Sequence, residues 1–123
     1  LCLEWCYDRV EGDRFADQKY LDRFPERYGH EIILQHKGAN VAPWNVENYT
    51  LSEMNGIVQV DNQQLLFFHF QGFKQIIPYM YDWGLWIYGV KTSHELMEYI
   101  YIPYTRTLQE LPLGKLNLKT IRN

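Results

Sequence analysis

A compact polar set stands in the middle of the chain, where His69, Gly72 and Lys74 follow the apolar run Leu65-Leu66-Phe67-Phe68. A neutral imidazole can ligate Mn²⁺, which accepts mixed nitrogen and carboxylate ligands. Glycine lets backbone approach a ligand closely, and lysine serves phosphates as a point charge. The alternative is that neither residue binds a ligand: His69 would then be a core histidine hydrogen-bonded to backbone, and Lys74 a solvated surface lysine. These residue types therefore predict either a place where a metal ion and a phosphate group could bind, or a strand end with no ligand.

Two more polar pairs precede this set. Asp17-Gln18 falls in the first turn of an expected helix, and Trp44-Asn45 follows Pro43 in an expected loop. An Asn amide can both donate to and accept from sugar hydroxyls, and Trp offers a stacking face. Equally, Asp17 can stabilise the helix dipole, Trp44 can fill the core and Asn45 can bond turn backbone. From the residues alone both interpretations stay open.

The order of these three motifs resembles the second half of a nucleotide-sugar-dependent glycosyltransferase with the GT-A fold. In that class an Asp-Gln pair, an aromatic-Asn pair and a His-x-x-Gly element converge on the donor sugar. Longer stretches are similar to a bacterial group of glycosyltransferases found among surface-polysaccharide genes, namely Leu3–Tyr7, Asp17–Asp22, Gly38–Asn45 and Phe68–Phe70. The resemblance covers about residues 1–110.

The resemblance implies roles for individual residues. Asp17 is expected to bond sugar hydroxyls, and Gln18 to lie near the anomeric carbon on the face that a retaining mechanism uses. His69 is implied as one ligand of Mn²⁺ or Mg²⁺. Substrate-binding roles are implied for Trp44, Asn45, Gly72 and Lys74. Lys74 matches less well, because the chain has one residue fewer before the lysine than the family element and lacks the Pro-Trp that follows it there.

The implied activity is transfer of a hexose from a nucleotide-diphosphate sugar, such as a UDP-sugar, to a saccharide acceptor in polysaccharide or lipopolysaccharide synthesis. Such enzymes also need a nucleotide-binding first half with an Asp-x-Asp metal element, and no such triplet occurs in this sequence. We therefore expect residues 1–112 to be the C-terminal portion of a longer catalytic domain, inactive alone, with residues 113–123 as a tail. The alternative is a non-catalytic carbohydrate-binding or oligomerisation module that uses exposed aromatic residues.

The expected architecture is α/β, a mixed sheet with a β-meander and flanking helices. The pattern predicts an opening helix, a helix capped by Asp13 and ended by Pro25, and a buried strand at Ile32-Ile33-Leu34. The meander is expected over residues 49–70 with an Asn55-Gly56 turn, and its last strand is expected to be central. Residues 76–90 are expected to be irregular, with Gly84 and Gly89 breaking any helix. A helix capped by Ser93 is expected to kink or restart at Pro103.

Bulk properties narrow the class of protein. The 123 residues suit one domain, and the net charge of −3 with scattered basic residues argues against a nucleic-acid partner. The sequence contains no apolar run of the roughly 18 residues that span a bilayer, so we expect a cytoplasmic protein whose parent can associate with a membrane only peripherally. Cys2 and Cys6, four residues apart on the expected opening helix, are predicted to be reduced, buried thiols.

Overall fold

The computed structural model describes residues 6, 7, 9–12 and 18–111, and these contain both helices and strands, as predicted. The prediction of a mixed sheet is wrong for the described residues, because their strands form two small antiparallel sheets. The chain divides into two compact units, one ending at Gln35 and one beginning at His36. Every strand of the described residues belongs to the second unit, which also contains most of the predicted site.

The described part of the first unit contains two short helices, α1 (Gln18–Leu21) and α2 (Phe24–Arg27). The prediction that Pro25 ends a helix is wrong, because Pro25 lies in the first turn of α2, where its missing N–H costs nothing. The strand predicted at Ile32-Ile33-Leu34 is also wrong: these side chains are exposed and their backbone is irregular. Cys6 is exposed in irregular backbone, which contradicts the buried helical thiol, whereas Cys2 and Asp13 lie outside the described residues.

The second unit begins its regular structure with the predicted antiparallel meander, β1 (Leu51–Met54), β2 (Ile57–Val60) and β3 (Gln63–Gln64). The expected Asn-Gly turn is confirmed, with φ of 56° at Asn55 and 79° at Gly56, the positive values that a type I′ hairpin requires. The turn after β2 also has positive φ, and its Asp61 carboxylate accepts from Thr50 N–H at 2.8 Å and pairs with Lys37 at 2.8 Å.

The last meander strand is much shorter than predicted. Gln63–Gln64 pairs with β2, and Leu65 N–H still donates to the Val58 carbonyl at 2.8 Å. The residues after Leu65 run beside the loop that starts at Gly38. Val41 and Phe68 form an isolated parallel bridge there. Gly38 is buried, and a Cβ on it would lie 2.0 Å from the Gln64 carbonyl oxygen, so this close approach of the two backbones requires glycine. The expected central strand is thus wrong, since Leu66 and Phe67 are 60% and 55% exposed.

A second hairpin occupies part of the segment predicted to be irregular. It pairs β4 (Lys74–Ile77) with β5 (Met80–Asp82), and Tyr79 in its turn has φ of 66°. A 3₁₀ helix follows at Leu85–Tyr88, between Gly84 and Gly89, both left-handed. The prediction that these glycines break any helix is therefore wrong for this 3₁₀ helix, which they flank. Two further 3₁₀ turns, Lys37–Ala39 and Val46–Asn48, shape the loop before the meander.

The last described element is a continuous helical segment. Ser93 Oγ accepts from Leu96 N–H at 3.1 Å, as the predicted cap, and α3 (His94–Leu96) passes through a π-helical turn at Met97–Tyr101 into α4 (Ile102–Glu110). The predicted disturbance at Pro103 is confirmed. Pro103 has no N–H to continue an α-helical ladder, and Ile102 N–H already donates five residues back, to Met97.

The core of the second unit is built around Tyr101, which is fully buried. Rings whose centroids lie 5.4–6.4 Å from its own surround it, and Tyr104 stacks on one of them, Phe70, at 3.8 Å. We call this group the Tyr101 cluster: Phe68, Phe70, Phe73, Trp83, Tyr101 and Tyr104. It packs beside the aliphatic core residues Val41, Val46, Val60, Leu85, Leu96 and Ile100.

Candidate functional site

Two of the predicted site residues, Trp44 and His69, meet on the surface of the second unit. The centroids of their rings lie 5.3 Å apart, edge to face at 87°. Backbone pairing creates this contact: Val41 N–H donates to Phe67 and His69 N–H donates to the Val41 carbonyl at 2.8 Å. Since the loop leading to Trp44 is anchored in this way beside His69, residues 25 positions apart share one surface.

Two further rings extend this contact. Tyr88, on the 3₁₀ helix, lies 5.7 Å from Trp44, and Phe67 lies 6.4 Å from His69. Trp44 and Phe67 are 45% and 55% exposed, while His69 and Tyr88 are half-buried. We call these four residues the His69 surface. No described residue hydrogen-bonds the imidazole of His69, so its ring nitrogens are not committed to the fold as those of a satisfied core histidine would be.

Gly72 ties the His69 surface to the 3₁₀ helix. The turn Phe70–Phe73 closes with a 3.2 Å backbone hydrogen bond, and Gly72, its third residue, has φ of 84°. A Cβ on Gly84 would lie 2.3 Å from the Gly72 carbonyl carbon, so the two glycine backbones touch. The close approach that Gly72 permits is therefore to Gly84 of the same chain. This contact joins the turn after His69 to the start of the 3₁₀ helix, and so it positions Tyr88 relative to His69.

Asp82 secures the other side of this junction. Gly84 N–H donates to its Oδ1 at 2.9 Å, and the Trp86 indole N–H donates to its Oδ2 at 3.3 Å. The bond from Gly84, then that from Trp86, and also the charge of Lys74, lower the pKa of Asp82 against the opposing effect of burial. The carboxylate thus holds both the start of the 3₁₀ helix and an exposed indole.

The other predicted substrate-binding residues occupy different surroundings. Asn45 is half-buried and accepts from Ala42 N–H at 2.8 Å while donating to the Asn40 carbonyl at 2.9 Å, which is the turn-bonding alternative. Its amide retains one N–H and one lone pair. Lys74 is exposed at the start of β4, in register with Asp82 across the hairpin.

The two predicted catalytic residues belong to the first unit. Asp17 lies outside the described residues. Gln18 begins α1, and only its backbone is described. Their roles stay predictions.

The donors for a metal are few. Among the described residues there is no group of three or more His, Cys, Asp or Glu side chains that could hold an ion. His69 therefore offers a single ligand, and a site made from the described residues alone does not fit Mn²⁺ or Mg²⁺.

The described surface also has two clefts away from these residues. One of about 420 Å³ lies beside the N-terminus of α3, between Tyr49, Lys91 and Glu95, and one of about 370 Å³ lies between the tip of the second hairpin and the end of α4. Neither is lined by a predicted site residue. No helix in the described part of the chain has the length and apolarity to cross a membrane.

The site is thus an exposed aromatic and imidazole surface on a mixed α/β domain. The chain is similar to two proteins whose names describe them as uncharacterized. The chain is 31% identical over 110 residues to the uncharacterized protein YfnD of Bacillus subtilis (strain 168), an alignment that covers 88% of this chain and 35% of YfnD. It is 35% identical over 74 residues to the uncharacterized protein YfnF of the same organism, covering 59% of this chain and 24% of YfnF. The chain therefore spans about a third or less of the length of these relatives. No protein-family model and no solved structure matches it.

Sequence reasoning missed Asp82, Trp86 and Tyr88. All three lie within residues 76–90, the segment expected to be irregular. A signal was present, since Asp82 precedes Gly84 by two residues, the spacing at which an Asp side chain bonds a turn N–H.

Proposed function

We propose that this chain is the C-terminal part of a GT-A-like glycosyltransferase that moves a hexose from a nucleotide-diphosphate sugar to a saccharide acceptor in polysaccharide or lipopolysaccharide synthesis. The observation that carries the proposal is the contact between Trp44 and His69 at 5.3 Å. Trp44 and His69 come from two of the three motifs of the resemblance, and they share one surface. The third motif is Asp17-Gln18, whose place beside that surface stays a prediction. The proposal places the enzyme in the cytoplasm, in peripheral contact with a membrane.

Trp44 and Asn45 are assigned to the donor sugar. The indole of Trp44 is 45% exposed and contacts the rings of His69 and Tyr88, so its exposed part is proposed to stack on a pyranose ring. Asn45 contributes through its remaining N–H and lone pair, while its two bonds to backbone fix the loop that carries Trp44. Each residue thereby has a positioning task and a binding task.

His69 and Lys74 are assigned to the diphosphate side, and Gly72 shapes the turn between them. The imidazole of His69 has no hydrogen-bond partner among the described residues, and Lys74 is an exposed cation five residues further along the chain. The remaining metal ligands would come from an Asp-x-Asp element outside this chain, which would hold Mn²⁺ or Mg²⁺ and supply Lewis-acid help to the leaving diphosphate. The described residues do not form that metal site, so no step is derived through it. The 123-residue chain alone is proposed to be inactive.

The proposed reaction breaks the bond between the anomeric carbon and the diphosphate oxygen and forms one to the acceptor oxygen, whose proton leaves with the diphosphate or solvent. A retaining outcome is proposed, with Gln18 near the anomeric carbon and Asp17 on the sugar hydroxyls. Replacing Gln18 with Ala in the full-length protein is expected to reduce turnover more than nucleotide binding. Equal losses of both would contradict the role of Gln18.

The proposal is tested by titrating UDP into the full-length protein that carries this chain, with and without Mn²⁺, by calorimetry. We expect metal-dependent binding that His69→Ala abolishes. His94→Ala is the matched control, because His94 is an exposed imidazole at the start of α3. Binding unchanged by His69→Ala would reject His69 as a ligand, and no binding in any condition would reject a UDP-sugar donor.

A second candidate function is favoured by the exposure of the aromatic residues. Trp86 is 73% exposed and Trp44 45%, as expected for a non-catalytic carbohydrate-binding module. That function predicts glycan binding with no dependence on nucleotide or metal. The same calorimetric titration separates the two, since only the transferase binds UDP.

A further inference from the structure

Trp86 combines high exposure with a fixed orientation. Its side chain is 73% exposed, yet its indole N–H is bonded to Asp82 Oδ2 at 3.3 Å. Asp82 is itself fixed, because its other oxygen accepts from Gly84 N–H, and Gly84 packs backbone against backbone on Gly72. An indole face held toward solvent loses little conformational freedom when a ligand stacks on it, which favours binding.

The carboxylate beside this indole has unused capacity. An ionised Asp has two oxygens with about four lone-pair sites, and described residues fill two of those on Asp82. Lys74 lies opposite Asp82 in the hairpin register, and its charge acts on the carboxylate. That charge disfavours a cationic ligand at this place. A neutral ligand with hydroxyl donors and an apolar face is favoured instead.

We propose that Trp86 and Asp82 form a saccharide subsite, in which the indole stacks on the apolar face of a pyranose and the Asp82 carboxylate accepts hydrogen bonds from its hydroxyls. The identification of this saccharide as the acceptor rests on the proposed function. Gly72 and Gly84 connect the subsite to the turn that follows His69, so a sugar on Trp86 would lie on the same unit as Trp44 and His69.

The test uses the ¹⁵N-labelled full-length protein that carries this chain and follows its tryptophan indole N–H signals, with Trp86 and Trp83 assigned through Trp86→Phe and Trp83→Phe. Methyl α-D-glucopyranoside and methyl α-D-galactopyranoside are the probes. We expect the Trp86 signal to shift and saturate in the millimolar range with at least one probe. The Trp83 signal is the internal control, because Trp83 belongs to the Tyr101 cluster and should not move.

Two variants assign the binding to the proposed groups. Asp82→Asn is expected to weaken binding about tenfold, because hydrogen bonds to a charged acceptor are the stronger ones. Glu98→Gln, an exposed carboxylate on the π-helical turn, should leave binding unchanged. In Trp86→Ala, binding is read from the backbone N–H signal of Gly84, which donates to Asp82. This variant should abolish binding, and an otherwise unchanged Gly84 signal excludes distortion of the turn as the cause. A Trp86 signal that neither probe moves, or equal binding by Asp82→Asn, would overturn the subsite.

The outcomes also separate this subsite from the donor site. Sugar binding at Trp86 without metal-dependent UDP binding in the full-length protein would keep the saccharide subsite and reject the transferase. UDP binding lost in His69→Ala, with no response of Trp86 to either sugar, would keep the transferase and reject the subsite.

Discussion

Alternate residues of one extended segment supply the Tyr101 cluster and the His69 surface. Phe68 and Phe70 face inward, where their rings lie 5.7 and 5.4 Å from that of Tyr101. Phe67 and His69 face the other way and remain partly exposed. The period of two that an extended chain imposes therefore separates residues that stabilise the fold from residues that are open to a ligand. Substitutions on the two sides should affect different measurements.

The largest effect is expected in the Tyr101 cluster. Tyr101→Ala removes a fully buried ring from contact with four others, so it should lower the free energy of unfolding by about 3–5 kcal/mol, the usual range for a buried aromatic truncated to Ala. Urea unfolding followed by circular dichroism measures it. A loss below about 1 kcal/mol would show that the cluster does not hold the domain together.

The junction between the two regions should be the next most sensitive. Gly84→Ala places a Cβ 2.3 Å from Gly72 in a residue with φ of 70°, whereas Gly89→Ala has φ of 66° and open space around the new Cβ. The control thus carries only the left-handed backbone penalty of about 1–2 kcal/mol. We expect Gly84→Ala to destabilise clearly more in the same urea experiment. Equal losses would remove the steric part of this argument.

Alkaline pH should reveal the buried phenol. Burial raises the pKa of Tyr101 from 10.0 to about 12, so the folded state keeps a proton that the unfolded state releases. The contribution of Tyr101 is intact below pH 10 and declines as the pH rises from 10 toward 12. Stability should therefore fall more steeply there in the native chain than in Tyr101→Phe. Parallel curves for the two proteins would contradict the burial of this hydroxyl.

The same variant has an effect at neutral pH. The Tyr101 hydroxyl has no hydrogen-bond partner among the described residues. Removing it in Tyr101→Phe should leave the free energy of unfolding unchanged or raise it by about 1 kcal/mol, because an unsatisfied polar group is costly to bury. A substantial loss of stability would mean that the hydroxyl has a partner.

The smallest effect on stability is expected on the His69 surface. Trp44 is 45% exposed and contacts two rings, so Trp44→Ala should cost about 1 kcal/mol or less for each ring pair. The same change should abolish donor binding in the full-length protein if the proposed role holds. A stability loss as large as that of Tyr101→Ala would show that Trp44 stabilises the fold in the way that the Tyr101 cluster does.

The sequence predicted the features that depend on local chemistry. The Asn55-Gly56 turn, the Ser93 cap and the disturbance at Pro103 each rest on a few neighbouring residues, and the structure confirms all three. The first two meander strands followed from the turn between them.

The failures are of two kinds. The apolar runs at Ile32-Ile33-Leu34 and Leu66-Phe67 predicted buried strands, but a strand needs partners that local sequence does not specify, and these side chains are exposed. The second hairpin was missed because its turn uses Tyr79 with positive φ, a conformation no propensity predicts for tyrosine. Of the candidate site, the sequence named Trp44 and His69 but not the contact between them, which depends on backbone pairing between Val41 and Phe68.

The central claim is that His69 serves binding while Tyr101 serves folding. Thermal unfolding of the full-length protein, with and without UDP and Mn²⁺, tests it most directly in native protein, His69→Ala and His94→Ala. We predict equal melting temperatures without ligand, and a ligand-induced rise in the native protein and His94→Ala that is absent in His69→Ala, because a ligand stabilises only the protein that binds it. The same rise in His69→Ala, or a strong loss of stability in its unliganded form, would contradict the claim.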